Sequence, residues 1–197
     1  MENKMRNRDI PTLTSERLIL RPFDENDLQA IYDIYSDEEV NTYLPWYPVK
    51  TLEETEHFYK EHYANSPDYA WAICRKEDNV PIGYVHVSMD DAHDFGYGLR
   101  KEFWHGGMVS EASAVVLDWL KKCPDIPFIT ATHDKNNPRS GAVMQRMGMK
   151  YQYSYDEMWQ PKNFMVTFRM YQMNFDVPQE YVFEKYREIH PAFVEEI

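Results

Sequence analysis

The chain is poor in cysteine, in glycine and in positive charge. Cys74 and Cys123 are its only cysteines, too few for a disulfide framework, and the expected setting is a reducing cytoplasm. None of the seven histidines is paired with cysteines at a metal-ligand spacing, so no metal is expected. No long uncharged apolar run occurs, and neither a membrane span nor a signal peptide is expected. Lysine and arginine number 21 against 33 acids, a net charge of −12. Duplex nucleic acid binds through a basic surface, so it is not an expected partner. An acidic surface is commonly a solubility feature; it also suits a cationic acceptor such as an amine. Glycine is the most informative scarcity. All seven lie between Gly83 and Gly148, and Gly96, Gly98, Gly106 and Gly107 fall within twelve residues. The main chain there must turn tightly or approach something closely.

What is present is an alternating order of strands and helices over 197 residues, the size of one domain with a full core. Residues 17–22 read as a strand, and 24–40 as a helix with Leu28, Ile31, Tyr32 and Tyr35 on one face. After the aromatic, proline-broken connection 43–48, a second helix is predicted over 51–63. Residues 69–75 and 81–89 read as paired strands with Asp78-Asn79 at the turn, and 95–100 as a further strand. The helix after it carries Ala112, Val115, Val116, Trp119 and Leu120 as an apolar stripe. A strand over 128–133 leads to a helix punctuated by Asn137 as N-cap, Pro138 at its first position and Gly148 just past its end. Residues 150–159 and 163–173 close as an antiparallel pair. The expected class is mixed α/β, a central and largely antiparallel sheet with helices on both faces.

Between the 95–100 strand and its helix lies Phe103-Trp104-His105-Gly106-Gly107-Met108-Val109-Ser110-Glu111-Ala112. A glycine turn into a helix start presents unpaired N–H groups and the positive end of the helix dipole, which together suit a pyrophosphate. A Walker loop requires Lys and Ser/Thr after its last glycine, where Met108-Val109 stand. A dinucleotide fingerprint requires a third glycine, and Gly96-Tyr97-Gly98 is followed by Lys101 instead.

The segment resembles the acetyl-CoA loop of the GNAT superfamily of N-acetyltransferases, Q/R-x-x-G-x-G/A, with Trp104 in the first position, Gly107 in the fourth and Val109 in the last. Trp104 and the run Gly107 to Ala112 are similar to the RimJ/RimL branch, the ribosomal-protein-alanine N-acetyltransferase type. Three further landmarks agree in order: Thr14 to Pro22 with the branch's first strand, Asp94 to Leu99 with its fourth, and Asn137-Pro138-Arg139-Ser140 with Met147-Gly148-Met149 with its Asn-x-x-Ser and Leu-Gly-Phe segment. The resemblance covers roughly 12–174. It divides the chain into an N-terminal extension 1–11, an acetyltransferase domain 12–174 and a C-terminal helical tail 175–197. It implies a seven-stranded sheet with a splayed fourth and fifth strand pair. The activity it implies is direct transfer of acetyl from acetyl-CoA to a primary amine, on a protein N-terminus or a small molecule.

By the same resemblance the cofactor contacts are Gly98, Leu99, Arg100, His105, Gly106, Gly107, Met108, Val109 and Ser110, with Asn137 beside the pantetheine arm. Helix capping alone also accounts for Asn137. Ser140 is implied as the acid for the leaving thiolate, and satisfying a local backbone group is its plainer reading. Many members have a tyrosine acid where this chain has Met144. The RimL-like glutamate aligns with Met158, and the adjacent Glu157 falls on the opposite strand face. Asp94, at the mouth of the fourth strand, is an alternative base acting through water. Tyr43 and Trp46 divide between core and substrate-pocket wall. These departures keep a second class open, an acetyl-CoA-binding module with little transfer. In the tail, Pro178 predicts a helix start nearby with Val182, Tyr186 and Ile189 as its stripe. The stripe is expected to dock on its own domain over the edge left by the final strand, favouring a monomer over a homodimer.

Overall fold

The computed structural model describes residues 10–197, so residues 1–9 of the expected N-terminal extension lie outside the described residues. Strands β1 (Leu13–Thr14), β2 (Leu18–Arg21), β3 (Tyr69–Arg75), β4 (Pro81–Val87) and β5 (Phe95–Leu99) form one sheet in that order. A second sheet takes β6 (Phe128–Asp134), β7 (Lys150–Trp159), β8 (Phe164–Asn174) and β9 (Ala192–Phe193) in the order β6-β8-β7-β9. Every ladder is antiparallel. The two sheets meet at a single parallel bridge between Asp94 and Thr130. The expected seven strands are β2 to β8; β1 and β9 are two-residue additions that bring the count among the described residues to nine.

Side-chain alternation assigns the layers. On β3, Tyr69, Trp71 and Ile73 join the core under α3 (Met108–Leu120) and α4 (Pro138–Arg146), while Ala70, Ala72 and Cys74 face the core under α1 (Leu28–Tyr35) and α2 (Leu52–Tyr59). Both faces are therefore covered, and β3 reads as a continuous apolar run. Helix α1 is shorter than the predicted 24–40. Asp24 builds a capping box over a 3₁₀ turn at Glu25–Asp27. At the other end the Asp37 carboxylate accepts the N–H groups of Glu39 and Val40 and turns the chain out of the helix. Helix α2 keeps Thr51 as N-cap but gives way to a π turn at Lys60–Ala64. On α3 the buried stripe is Ala112, Ser113, Val116, Leu117 and Leu120. Val115 is only half-buried, and Trp119 lies edge-on to Tyr69 and Trp71 at the helix margin.

The tail departs most from expectation. Its helix α5 (Lys185–Ile189) is five residues long and begins well after Pro178. Ile189, a predicted anchor, is 64% exposed. The buried anchor is Phe183, and Tyr186 stacks on Tyr155 with centroids 5.0 Å apart. The edge covered is that of β7, because β8 returns between β6 and β7; β9 pairs with β7 through Ser154 and Tyr155. Beyond β9 the Glu195 carboxylate accepts bonds from Ser154 Oγ at 2.6 Å and Arg169 Nε at 2.9 Å. The tail thus starts on the Tyr153/Tyr155 face of the second sheet and wraps round its β7 edge.

Candidate active site

Below the Asp94–Thr130 bridge β5 and β6 run side by side and diverge, so the gap between them opens toward α3 and α4, which begin beyond their ends. Arg100 donates its main-chain N–H to Ile82 and the Asp94 carbonyl accepts from Ser88, so residues 94, 96, 98 and 100 turn their main chain to β4. Alternation then turns Tyr97 and Leu99 to the gap. Gly98 and Arg100 thus turn their main-chain donors to β4, and the Arg100 guanidinium is held by Asp33 and Glu102. The Leu99 carbonyl already accepts from Trp104 Nε1 at 2.8 Å. Gly96 and Gly98 are glycine for a different reason than a phosphate. A Cβ at Gly96 would run into the His86 ring, and one at Gly98 would lie 2.5 Å from the Tyr84 ring.

At the open end Trp104 folds back on β5, Arg139 of α4 lies over its indole at 5.4 Å, and His105 and Gly107 take positive φ of 64° and 72°. Gly107 is the N-cap of α3 and supplies no side-chain cap. Among the described residues no acceptor takes an N–H from His105 through Ser110, and the buried Ser110 Oγ has no partner either. A row of free N–H groups at the positive end of a 13-residue helix fits a pyrophosphate. Ser110 also lines a cavity of about 170 Å³ between α3 and α4 that includes Lys121 and Arg146.

Ser140, in the first turn of α4, shares a 3.0 Å hydrogen bond with Tyr97 Oη, which also donates to the Ser140 carbonyl at 2.8 Å. Burial pushes the Tyr97 phenol well up, so it stays protonated. Helix α4 lies close to β6 because residue 141 is glycine: a Cβ there would come within 2.5 Å of His133 Nε2. Burial pushes His133 down, and its Nδ1 bonds the Asp134 carbonyl. Asn137 occupies the N-cap position but makes no capping hydrogen bond, so capping does not explain its side chain. At the far end Gly148 closes a Schellman motif, its N–H bonding Gln145 and that of Met149 bonding Met144. Met144 is buried in the core and offers no acid.

At the apex of the gap the Asp94 carboxyl is pushed up to about 7, by burial first and by Asp90 second. Its Oδ1 is buried without a partner among the described residues, an arrangement that favours a proton on a carboxylate. Tyr155 and Tyr186 lie close enough for the Asp94 charge to raise both phenols, burial being the larger cause in each. Glu157 shares the Tyr155 face, but its carboxylate lies 3.8 Å from His190 of the tail; Met158 is 47% exposed on the other face. Trp46 packs on Tyr35, Phe58 and His62, its Nε1 buried and unpartnered among the described residues. Tyr43 donates across the mouth to the Asn136 carbonyl at 3.0 Å. Lys162 of the β7–β8 turn holds the Asn41 carbonyl at 2.8 Å.

Residues 17–150 match the acetyltransferase (GNAT) domain family. The chain belongs to the GNAT acetyltransferase family. Among its relatives is the uncharacterized N-acetyltransferase YnaD of Bacillus subtilis, 28% identical over 141 residues that span 70% of this chain and 82% of that one. A solved structure of RimL, a ribosomal L7/L12 alpha-N-protein acetyltransferase in complex with coenzyme A, superposes with a TM-score of 0.69 at 21% identity, over 86% of this chain and 99% of that one. The spermidine N-acetyltransferase of Vibrio cholerae, in complex with CoA and spermine, superposes with a TM-score of 0.69 at 16% identity, over 80% and 95%.

In this GNAT chain the expected cofactor segment 105–110 leads into α3, Asn137 and Ser140 open α4, and Asp94 stands at the β5–β6 bridge. Glu157 is displaced toward the tail. Sequence reasoning did not single out Tyr97, which bonds Ser140, or the tail's Tyr186, which lies near Asp94. Tyr97 had one signal, a lone large side chain between Gly96 and Gly98 that must point opposite to the ring-covered face. No group of His, Cys, Asp or Glu among the described residues is placed to hold a metal ion. Among them no helix is long and apolar enough to cross a membrane.

Proposed function

We propose that this GNAT acetyltransferase binds acetyl-CoA with its pyrophosphate on the N–H groups of 105–110 and its thioester in the β5–β6 gap, and transfers the acetyl group directly to a primary amine. What supports the reading is the set of free main-chain donors at the start of α3, with a Ser140–Tyr97 hydroxyl pair at the start of α4 and a buried Asp94 at the β5–β6 bridge. Acetyl-CoA supplies an activated acetyl thioester. The N–H groups of Tyr97 and Leu99 face the gap, where negative charge would grow on the carbonyl oxygen. Asp94 takes a proton from the incoming ammonium through water, its raised affinity matching that task near neutral pH. Ser140, its hydroxyl held by Tyr97 Oη, gives its proton to the leaving sulfur and regains one from the nitrogen of the tetrahedral adduct as the amide forms. Asn137, free of a capping role, lies along the path of the pantetheine arm. Tyr43, Trp46 and the tail's Tyr186 wall the acceptor side.

The acceptor is a protein N-terminus or a small amine; the two superposed structures carry acceptors of both kinds in their names. Release of CoA thiol on mixing with acetyl-CoA and either an N-terminal alanine peptide or spermidine tests the reading. Thiol release with neither, but a CoA-dependent rise in melting temperature, would leave a binding module. No thermal shift with CoA would remove the cofactor assignment itself.

A further inference from the structure

The peptide between Gly106 and Gly107 is the least restrained in the mouth, since neither flanking residue has a Cβ to oppose its rotation. Its carbonyl is nevertheless anchored from outside the loop: Arg17, on the turn before β2, donates to the Gly106 oxygen at 3.0 Å. The same guanidinium is held by Glu111 in the first turn of α3, with Nε 2.7 Å and a terminal nitrogen 2.6 Å from the carboxylate. Glu111 also accepts from the Arg17 main-chain N–H at 2.8 Å and from Ser15 Oγ at 2.6 Å. Partial burial pushes the Glu111 carboxyl up, but the bonds from Ser15 and Arg17 together hold it below its ordinary value, so it remains charged.

Resting on the acetyl-CoA reading above, we propose that Arg17 and Glu111 are a positioning pair that aims the Gly107 N–H at the cofactor's pyrophosphate. In a planar trans peptide the C=O and the following N–H point in opposite directions. Fixing the Gly106 carbonyl on Arg17 therefore turns the Gly107 N–H away from it, to the open side of the turn. Stability is an incomplete account of the arginine: its side chain is 46% exposed against 19% for Glu111, and an exposed partner contributes little to an ion pair. Charge is a worse one: an acid in the first turn of a phosphate-binding helix repels the ligand unless it does something else. Holding the arginine that orients the peptide is that function.

The two accounts of Glu111 predict opposite signs. Titration calorimetry with CoA on Glu111→Gln should show Kd raised about tenfold, the loss of one charge-assisted anchor. A carboxylate acting only as a nearby charge would instead leave Kd unchanged or lower it, which overturns the proposal. Arg17→Gln and Arg17→Lys should both weaken CoA to a similar degree, since an ammonium lacks the fork that joins Glu111 to Gly106; wild-type affinity in Arg17→Lys also overturns it. The unliganded melting temperature should fall by less than about 3 °C, and saturating CoA should protect the 107–109 amides, the 107 amide above all, less than in wild-type protein. A fall in melting temperature with those amides still protected would mark the pair as structural and overturn the assignment. If Glu111→Gln does not fold, Ser15→Ala removes one donor to the carboxylate and should give a smaller loss in the same direction. Wild-type protein that does not bind CoA at all would sink the parent reading, whatever the variants do.

Discussion

The two ends of the β5–β6 gap are built from different materials. The mouth is main chain: a turn with two left-handed residues, a helix start and a row of free N–H groups, all within residues 104–111. The apex is side chain: Asp94 from the start of β5, Tyr155 from β7 and Tyr186 from the tail, brought together from three separated stretches. A ligand that differs little between enzymes can be held by backbone geometry, which few substitutions disturb. A ligand that defines an enzyme's specificity is met by side chains, which can change one at a time.

The strongest test of the mouth is Gly107→Asp. It adds a Cβ at φ +72° and a negative charge where the anion would sit. CoA should produce no thermal shift, where wild-type protein gains about 2.7 kcal/mol at a hundredfold excess over Kd. Retained binding in a folded variant breaks the comparison at its first term. At the apex, Asp94→Asn should lower kcat/KM with any accepted amine by about 10² to 10⁴ and flatten the acidic limb, which in wild-type protein should have an apparent pKa near 7. The sign for stability is opposite. A carboxyl raised in the folded state stabilises fully below its unfolded value of 3.8, and that contribution is lost as pH rises toward about 7. The asparagine variant should therefore melt above wild type at pH 8 and alongside it at pH 4.

Ser140→Ala should reduce kcat by roughly 10² while leaving CoA affinity nearly intact, and Tyr97→Phe should give part of that loss. An unchanged kcat would return Ser140 to a local structural role. Phe183→Ala removes the tail's buried anchor and should cost about 3 kcal/mol of stability. Its kinetic signature is what sharpens the contrast: KM for the amine should rise and that for acetyl-CoA should not. Smallest is Tyr43→Phe, which deletes one partly exposed hydrogen bond, worth about 1 kcal/mol or less; acceptor KM should move by a few-fold at most.

The material also decides what was legible in the sequence. Local rules placed the turn before α3 and both ends of α4, because Gly107 takes a positive φ and Pro138 and Gly148 stand at the two ends of α4. Strand alternation placed β3 and β4 almost to the residue. The same rules missed contacts made at long separation. Arg17 and Glu111 are 94 residues apart in sequence, Tyr97 and Ser140 are 43 apart, and no spacing pattern joins them. The tail misled for a different reason: Val182, Tyr186 and Ile189 do have helical spacing, but pairing of β9 with the exposed edge of β7 claims the chain first and leaves Ile189 outside. Asn137 was legible as a cap position and not as an uncommitted side chain, since only the hydrogen-bond geometry distinguishes the two.

The imidazole of His133 takes the room a methyl group at position 141 would need, so the spacing between α4 and β6 is one volume shared by two residues. Ser140 is next in the chain and rides on that spacing. In variants of this chain, bulk gained at 141 must be matched by bulk given up at 133, and an unmatched exchange would carry an unaltered serine away from its phenol partner. On the role proposed for Ser140, activity would then depend on a glycine that never meets a substrate.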